Sequence, residues 1–474
     1  MTLQNGAHIH LIAACGTAMG SLAAILREKG FRVTGSDAQI YPPISTYLQE
    51  IGIELFEGFT PDNLCERPDL VVVGNAVSRG NPELEAALNA RIPYTSLPEM
   101  LRDTFIRGKQ PVVVTGTHGK TTTTAMTAHL FSYHALDPSF LVAGLAKNFK
   151  RPYRLGTGNH VIIEGDEYDS AYFAKWPKFF YYLPETLIIN NIEFDHADIY
   201  DSLEDIAKTF RQLVNMVPQD GLIIAHAGDE VVADVLKVAH APVQTFGIET
   251  DAFWRADIIS STSTGTDFTL YCQNEKLGTF HLPMHGEHNV RNALASMAAC
   301  HRAGIAIAAI QESLPAFKGV SRRQELLGEW GGILLVDDFA HHPTAVEQTL
   351  RATAAAHPGR PIWAVFEPAS ATNARALFES RYATAFAQAQ QVVLGSVPRP
   401  ERAREDEPFS PQRLVDQLEA QGKKAHFFSS SDQILSHLKM HLQSGDLVVF
   451  MSNGGFSGLQ RLLADHLRDH YANS

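Results

Sequence analysis

The chain has 474 residues, 45% of them hydrophobic, with 39 basic and 52 acidic residues and a formal net charge of −13. That length suggests about three domains at roughly 100–200 residues each. The acidic balance and the lack of a long basic run exclude a binder of the nucleic-acid backbone, whereas small anionic ligands need only local positive sites.

The four cysteines, Cys15, Cys65, Cys272 and Cys300, lie far apart without a CxxC pair. They predict neither a zinc site nor a disulfide framework, and fit reduced packing residues of a cytoplasmic protein. The opening MTLQNGAHIHLIAAC has a short apolar run and no basic leader. It reads as a first strand rather than a signal peptide, and no run of about 20 apolar residues predicts a membrane span.

In chain order, strands are expected at 8–14, 31–35 and 70–74, with a helix over 20–29, a βαβ-type pattern. The RGKQP stretch at 107–111 reads as a linker. A second block opens with a strand at 111–115, a Gly-rich turn and a helix. It continues with strands at 160–163, 186–190 and 221–225 and a helix over 286–303, and FKGVSRRQE at 317–325 reads as a hinge. A third alternating block places strands at 333–336, 361–366, 391–395, 425–428 and 447–451, the pattern of a second doubly wound sheet. The charged RPERAREDEP at 399–408 reads as a loop.

The strongest chemical signal is GTHGKTTTT at 116–124, between a strand and a helical pattern. Strand, glycine, Gly-Lys-Thr and helix in this order make a phosphate loop. Its glycines let backbone N–H groups close on phosphate oxygens, the helix N-terminus adds positive potential, Lys120 neutralises phosphate charge, and the Thr121 hydroxyl can hold Mg²⁺. Two acidic clusters follow strands downstream: Glu164, Asp166, Glu167 and Asp169, then Glu193, Asp195, His196 and Asp198. Either alone would read as a solvated loop. Together, after a phosphate loop, they read as Mg²⁺ ligands at strand ends.

Five motifs then carry a resemblance: TGTHGKTTT at 115–123, EGDEYD at 164–169, NIEFDH at 191–196, HNVRN at 288–292 and DDFAHHPT at 337–344. In this order, over essentially the whole chain, they resemble the Mur ligase family, which builds the peptide of bacterial cell-wall precursors. ACGTAMG at 14–20, GSDAQIYPP at 35–43, YLPETL at 182–187, FEPASAT at 366–372 and SNGGF at 452–456 are similar to the recycling members of its muramate-accepting branch. The alternative is the member that adds L-alanine. That member typically has an HRYTRT-type stretch where this chain has 368–375.

The resemblance implies an α/β protein of three domains: a Rossmann-like UDP-muramate domain at 1–107, a central P-loop ATPase-type domain at 108–322 with a mainly parallel sheet, and a C-terminal Rossmann-like domain at 323–474 for the incoming peptide. It implies a cytoplasmic ligase acting in peptidoglycan recycling. ATP and Mg²⁺ would serve to join L-alanyl-γ-D-glutamyl-meso-diaminopimelate to UDP-N-acetylmuramate through an acyl phosphate, with no nucleic-acid or membrane partner, as a monomer or weak homo-oligomer.

By motif, Gly116, Thr117, His118, Gly119, Lys120, Thr121 and Thr122 match nucleotide-binding positions. Thr121 and Glu164 match Mg²⁺ ligands, and His196 matches the ligand of a second Mg²⁺. Lys120, Glu164 and His196 are thus the catalytic candidates. His288, Asn289 and Asn292 match an adenine-contacting helix start, although alone they would read as a helix cap. Arg323 and Asp338 match positions near ribose and phosphates. Some relatives carry a carbamylated lysine about fifteen residues after His196; here that position is Arg211, with Lys208 one turn earlier.

The first strand ends in AACGTAMG, so two glycines of a dinucleotide fingerprint are absent, although Asp37 closes strand two. Alone this reads as a weak NAD site. By resemblance the same crevice holds UDP, through Gly16, Thr17, Met19, Gly20, Ser36, Asp37, Asn75, Ala76 and Ser78. In the third block, Ser370, Thr372, Asn373, Arg375, Ser452, Asn453 and Gly454 follow strand ends and match the peptide-facing loops.

Overall fold

The computed structural model describes residues 4–40, 42, 44–370, 372–398 and 407–471. The charged stretch 399–406, and Tyr41, Pro43 and Ala371 of the motifs above, lie outside the described residues. Among the described residues no helix is long and apolar enough to cross a membrane. The chain gathers into two compact units. One comprises the residues up to Ile192 with Glu204–Thr245 and Ala295–Ala306; the other comprises Glu193–Leu203, Phe246–Leu294 and the chain from Ile307 onward.

The first unit holds two parallel arrays. The N-terminal sheet runs in the order Glu54–Glu57, Arg32–Asp37, His8–Ile12, Leu70–Val73, Tyr94–Ser96, every pairing parallel. The order reverses between His8–Ile12 and Leu70–Val73, so a ligand crevice opens at the carboxyl ends of these two strands. Gly74 lets the ends of these two strands approach closely, since a Cβ there would meet the Ile12 carbonyl oxygen at 2.8 Å. Gly20 serves packing in the same way: a Cβ would meet Ile44 Cγ1 at 2.6 Å.

The central array runs Leu222–His226, Thr186–Ile189, Gln110–Thr115, His160–Glu164, Ser139–Leu141, Tyr153–Arg154. All these pairings are parallel except the last. Its strands are unbroken apolar runs such as PVVVT and VIIE because helices and loops cover both faces. Helix Lys120–Tyr133 follows Gln110–Thr115 directly.

In the second unit, Trp254–Thr262, Gly265–Cys272 and Glu275–Leu282 form an antiparallel meander that the sequence reading did not identify. Its last turn holds Gln273 and Asn274 at φ of 48° and 67°, the left-handed pair of a two-residue hairpin. The C-terminal sheet runs Glu325–Trp330, Ile333–Asp338, Leu447–Met451, Ile362–Phe366, Gln391–Leu394, Lys424–Phe427, parallel except for its first pair. Leu335, Val365, Val393, Val448 and Phe450 fill the core on one face of this sheet, and Ala364, Phe366, Leu394 and Val449 the other.

Candidate active site

The phosphate loop folds as its glycines require. Gly116 has φ +123° and Gly119 φ +81°, and Gly119 caps helix Lys120–Tyr133. A Cβ on Gly116 would lie 2.9 Å from the Asn191 carbonyl oxygen, so only glycine allows this approach. Asn191 clamps the loop: its carbonyl accepts from Thr117 N at 3.1 Å and its Oδ1 from His118 N at 2.8 Å. Asn190 donates to Thr123 Oγ1 at 3.1 Å. Asn190 and Asn191, just before the second acidic cluster, are therefore structural support for the loop, a role the sequence reading did not assign.

Lys120 Nζ donates to the Gly116 carbonyl at 2.7 Å and to Glu167 Oε1 and Oε2 at 3.1 and 2.8 Å. Burial alone would lower its pKa, but the carboxylates of Glu167, Asp166 and Glu164 outweigh it and hold the ammonium charged. The Thr121 hydroxyl donates to Glu164 Oε2 at 2.9 Å, and Glu164 Oε1 accepts from Ala143 N at 2.5 Å. Thr121 and Glu164 are both buried. A hydroxyl and a carboxylate so placed form a hard-oxygen donor set that fits Mg²⁺. The structure thus brings Gly116, Lys120, Thr121, Glu164 and Glu167 together, with Thr122 buried in the first helical turn.

The acidic turn holds a further cation. Lys178 Nζ lies 3.2 Å from Asp166 Oδ2 and 4.0 Å from the centre of the Tyr168 ring. Sequence offered no signal for it. Lys175 and Lys178 look alike in AKWPK, yet the Lys175 side chain is 67% exposed and that of Lys178 is 9% exposed.

At the N-terminal crevice, Gly16, Thr17, Asn75, Ala76 and Ser78 are exposed, whereas Met19, Gly20 and Ser36 are buried. Ser36 Oγ donates to Glu83 Oε2 at 2.7 Å, and Glu83 Oε1 pairs with His10 Nε2 at 2.6 Å. Asp37 takes Cys15 N and Ala38 N, each at 2.8 Å. Ser36 and Asp37 therefore brace the strand ends from within.

In the second unit, His196 adopts φ +52°, a strained value for a non-glycine residue. Its neighbour Asp195 accepts from the Thr372 hydroxyl at 2.8 Å. Burial opposes ionisation of Asp195, but His196, His341 and His342 more than offset it, so its pKa is lowered. Thr372 and Asn373 are 2% and 1% exposed. Asn373 donates to the His341 carbonyl at 2.8 Å and accepts from Tyr382 at 2.9 Å, and Ser370 Oγ accepts from Asn373 N at 3.0 Å. The backbone of Arg375 forms an isolated antiparallel β-bridge with that of Pro408. Arg322 donates to the carbonyls of Ser452 and Gly454 at 2.7 and 2.6 Å, and Gly454 N donates to Ser452 Oγ at 2.9 Å, which fixes the loop carrying Asn453.

Asn289 donates to the His285 carbonyl at 2.8 Å and to Gln324 at 3.1 Å, and Asn292 donates to Asn289 at 3.3 Å. Burial pushes the His288 imidazole down to about 4. Asp338 accepts Gln324 N at 2.6 Å and Ala340 N at 2.7 Å, and the Arg323 guanidinium lies 4.5 Å from the Phe339 ring centre.

Three family descriptions match the chain: "Mur ligase family, catalytic domain" over residues 8–108, "Mur ligase middle domain" over 114–300 and "Mur ligase, glutamate ligase domain" over 322–454. The UDP-N-acetylmuramate–L-alanyl-γ-D-glutamyl-meso-2,6-diaminoheptandioate ligase of Escherichia coli K12 is 38% identical over 460 residues, 97% of this chain and 98% of the relative. The chain belongs to the Mur ligase family. A UDP-N-acetylmuramate–L-alanine ligase of Acetivibrio thermocellus is 33% identical, covering 94% of this chain and 93% of that protein. The crystal structure of a murein peptide ligase from Psychrobacter arcticus 273-4 is 36% identical with a TM-score of 0.75, covering 98% of this chain and 99% of that one.

Arg211 and Lys208 lie on helix Leu203–Val214. Arg211 there pairs with Glu204 and Asp234, each at 2.7 Å, and Lys208 is exposed.

Proposed function

We propose that this Mur ligase joins L-alanyl-γ-D-glutamyl-meso-diaminopimelate to UDP-N-acetylmuramate at the expense of ATP, in the recycling of cell-wall peptide. The observation that supports it most is the full-length likeness to the Escherichia coli enzyme of that name, with higher identity than to the Acetivibrio alanine ligase. The residues at 368–375 also depart from the alanine-adding pattern.

The chemistry follows from leaving groups. A carboxylate cannot expel oxide, so a lactyl oxygen first attacks the γ-phosphorus of ATP and the bond to ADP breaks. The peptide amine then attacks the acyl carbon of the resulting acyl phosphate. Phosphate leaves with the former carboxylate oxygen, and the amine gives up a proton as the amide forms. Two anions must approach each other, so catalysis is mainly positioning and screening. Lys120 would exchange the carboxylate of Glu167 for phosphate oxygens, with the loop from Gly116 to Thr122 cradling them. Thr121 and Glu164 would hold Mg²⁺, and His196 a second Mg²⁺. Magnesium bound there would supply screening of the phosphate and carboxylate charges.

In this reading 1–107 binds the UDP sugar, with Gly16, Thr17, Asn75, Ala76 and Ser78 as contacts and Ser36 and Asp37 as braces. Residues 108–322 bind ATP. Residues 323–474 bind the peptide, with Arg375 and the 452–454 loop as contacts and Thr372 and Asn373 as supports. His288, Asn289, Asn292, Arg323 and Asp338 are assigned to the nucleotide. A cytoplasmic monomer or weak homo-oligomer completes the reading.

The test offers the enzyme ATP, UDP-N-acetylmuramate and equal concentrations of L-alanine and tripeptide. The tripeptide conjugate should dominate the products. Dominance of the alanine product would make this an alanine-adding ligase.

A further inference from the structure

The acidic turn 164–167 places three carboxylates around one loop lysine. Lys120 is held by both oxygens of Glu167, and its side chain and that of Glu167 are only 13% and 4% exposed. The charge of Asp166 also acts on Lys120. Asp166 has its own ammonium: Lys178 lies 3.2 Å away, steadied by the Tyr168 face at 4.0 Å. The backbone fixes this register, because Lys178 N donates to the Tyr168 carbonyl and Phe179 N to the Asp166 carbonyl, both at 3.3 Å. Gly165 lets the turn pack down: a Cβ there would meet Thr115 Cγ2 and Val113 Cγ1 at 2.7 Å. Charges thus alternate along Glu167, Lys120, Asp166 and Lys178.

A largely buried carboxylate without a counter-charge is costly and draws in the nearest cation, even where, as at Asp166, a tyrosine side chain, Tyr168, also hydrogen-bonds it. Without Lys178, that cation is Lys120. We propose that Lys178 is a positioning residue that compensates Asp166, so that Lys120 can leave the acidic turn for the phosphates of ATP. This rests on the reading of Lys120 as the phosphate-binding lysine. Lys178 therefore governs ATP affinity and turnover without touching the muramate or the peptide.

The experiment measures kcat and KM for each substrate, and the thermal unfolding midpoint, for the full chain carrying Lys178→Met, Lys178→Arg, Asp166→Asn and the double substitution Lys178→Met with Asp166→Asn. Lys178→Met should raise the ATP KM about tenfold, the scale of one lost charge interaction. The double substitution should return it to within about threefold of wild type, as should Lys178→Arg, with the muramate and peptide KM values unchanged. A purely structural lysine would lower the unfolding midpoint on loss, with rescue by neutralising Asp166, but without a selective change in the ATP KM. Wild-type behaviour of Lys178→Met, or a double variant as impaired as the single one, overturns the proposal. Should Lys178→Met fail to fold, Asp166→Asn alone decides: an unchanged or lower ATP KM supports the proposal, and a tenfold rise overturns it. Lys120→Ala tests the underlying reading separately. Retained turnover removes that reading, whereas lost turnover with an unresponsive Lys178 removes only the present proposal.

Discussion

At residue scale, chemistry legible in the sequence and chemistry hidden from it stand a few ångströms apart. Lys120 was readable because a phosphate loop fixes its lysine by spacing from two glycines. The pairing of Lys178 with Asp166 was not, because the hairpin of Asp169–Ala171 and Ala174–Pro177 is what folds the lysine back on the acidic turn. His342 was quoted within a motif, but its role as a helix N-cap needed coordinates: its Nδ1 accepts from Thr344 N at 3.3 Å, and the residue is 1% exposed. Burial pushes its pKa down to about 4, against the pull of Asp195. Between about pH 6.5 and pH 4 the unfolded chain therefore takes up a proton that the folded chain refuses, and stability falls as pH falls, by roughly 1 kcal/mol per pH unit from this group. Asparagine caps well and does not titrate. His342→Asn should lose less thermal stability than wild type between pH 7 and pH 5; an equal or larger loss would refute this origin of acid sensitivity.

At element scale, strands with long apolar runs were found within a few residues, because parallel sheets covered on both faces need such runs. The meander Trp254–Leu282 was missed. Its strands carry polar residues such as Ser260, Thr262, Asp267 and Thr269 between apolar ones, and its short turns lack the usual Asn-Gly signal. The phosphate loop tolerates little change at its first glycine. Alanine at Gly116 would combine φ +123° with a 2.9 Å approach to the Asn191 carbonyl, and strain of about 1–3 kcal/mol would displace the loop. Gly116→Ala should therefore raise the ATP KM by about tenfold or more while the muramate KM stays put. An unchanged ATP KM would mean that this approach does not shape the nucleotide site.

At the scale of the whole molecule, three family-matched segments in order and an acidic chain with an internal cluster of lysines and carboxylates make an ATP-dependent ligase. How the sites are buttressed was not legible in one dimension. The bonds of Ser36 to Glu83, Thr372 to Asp195 and Arg322 to the 452–454 loop join residues far apart in sequence. In the proposed reaction ATP activates the muramate carboxylate before the amine attacks. UDP-N-acetylmuramate carrying ¹⁸O in its lactyl carboxylate, turned over with ATP and tripeptide, tests it directly. Activation through an acyl phosphate leaves one ¹⁸O atom in the released inorganic phosphate for each amide formed; amide formation with unlabelled phosphate would rule that intermediate out.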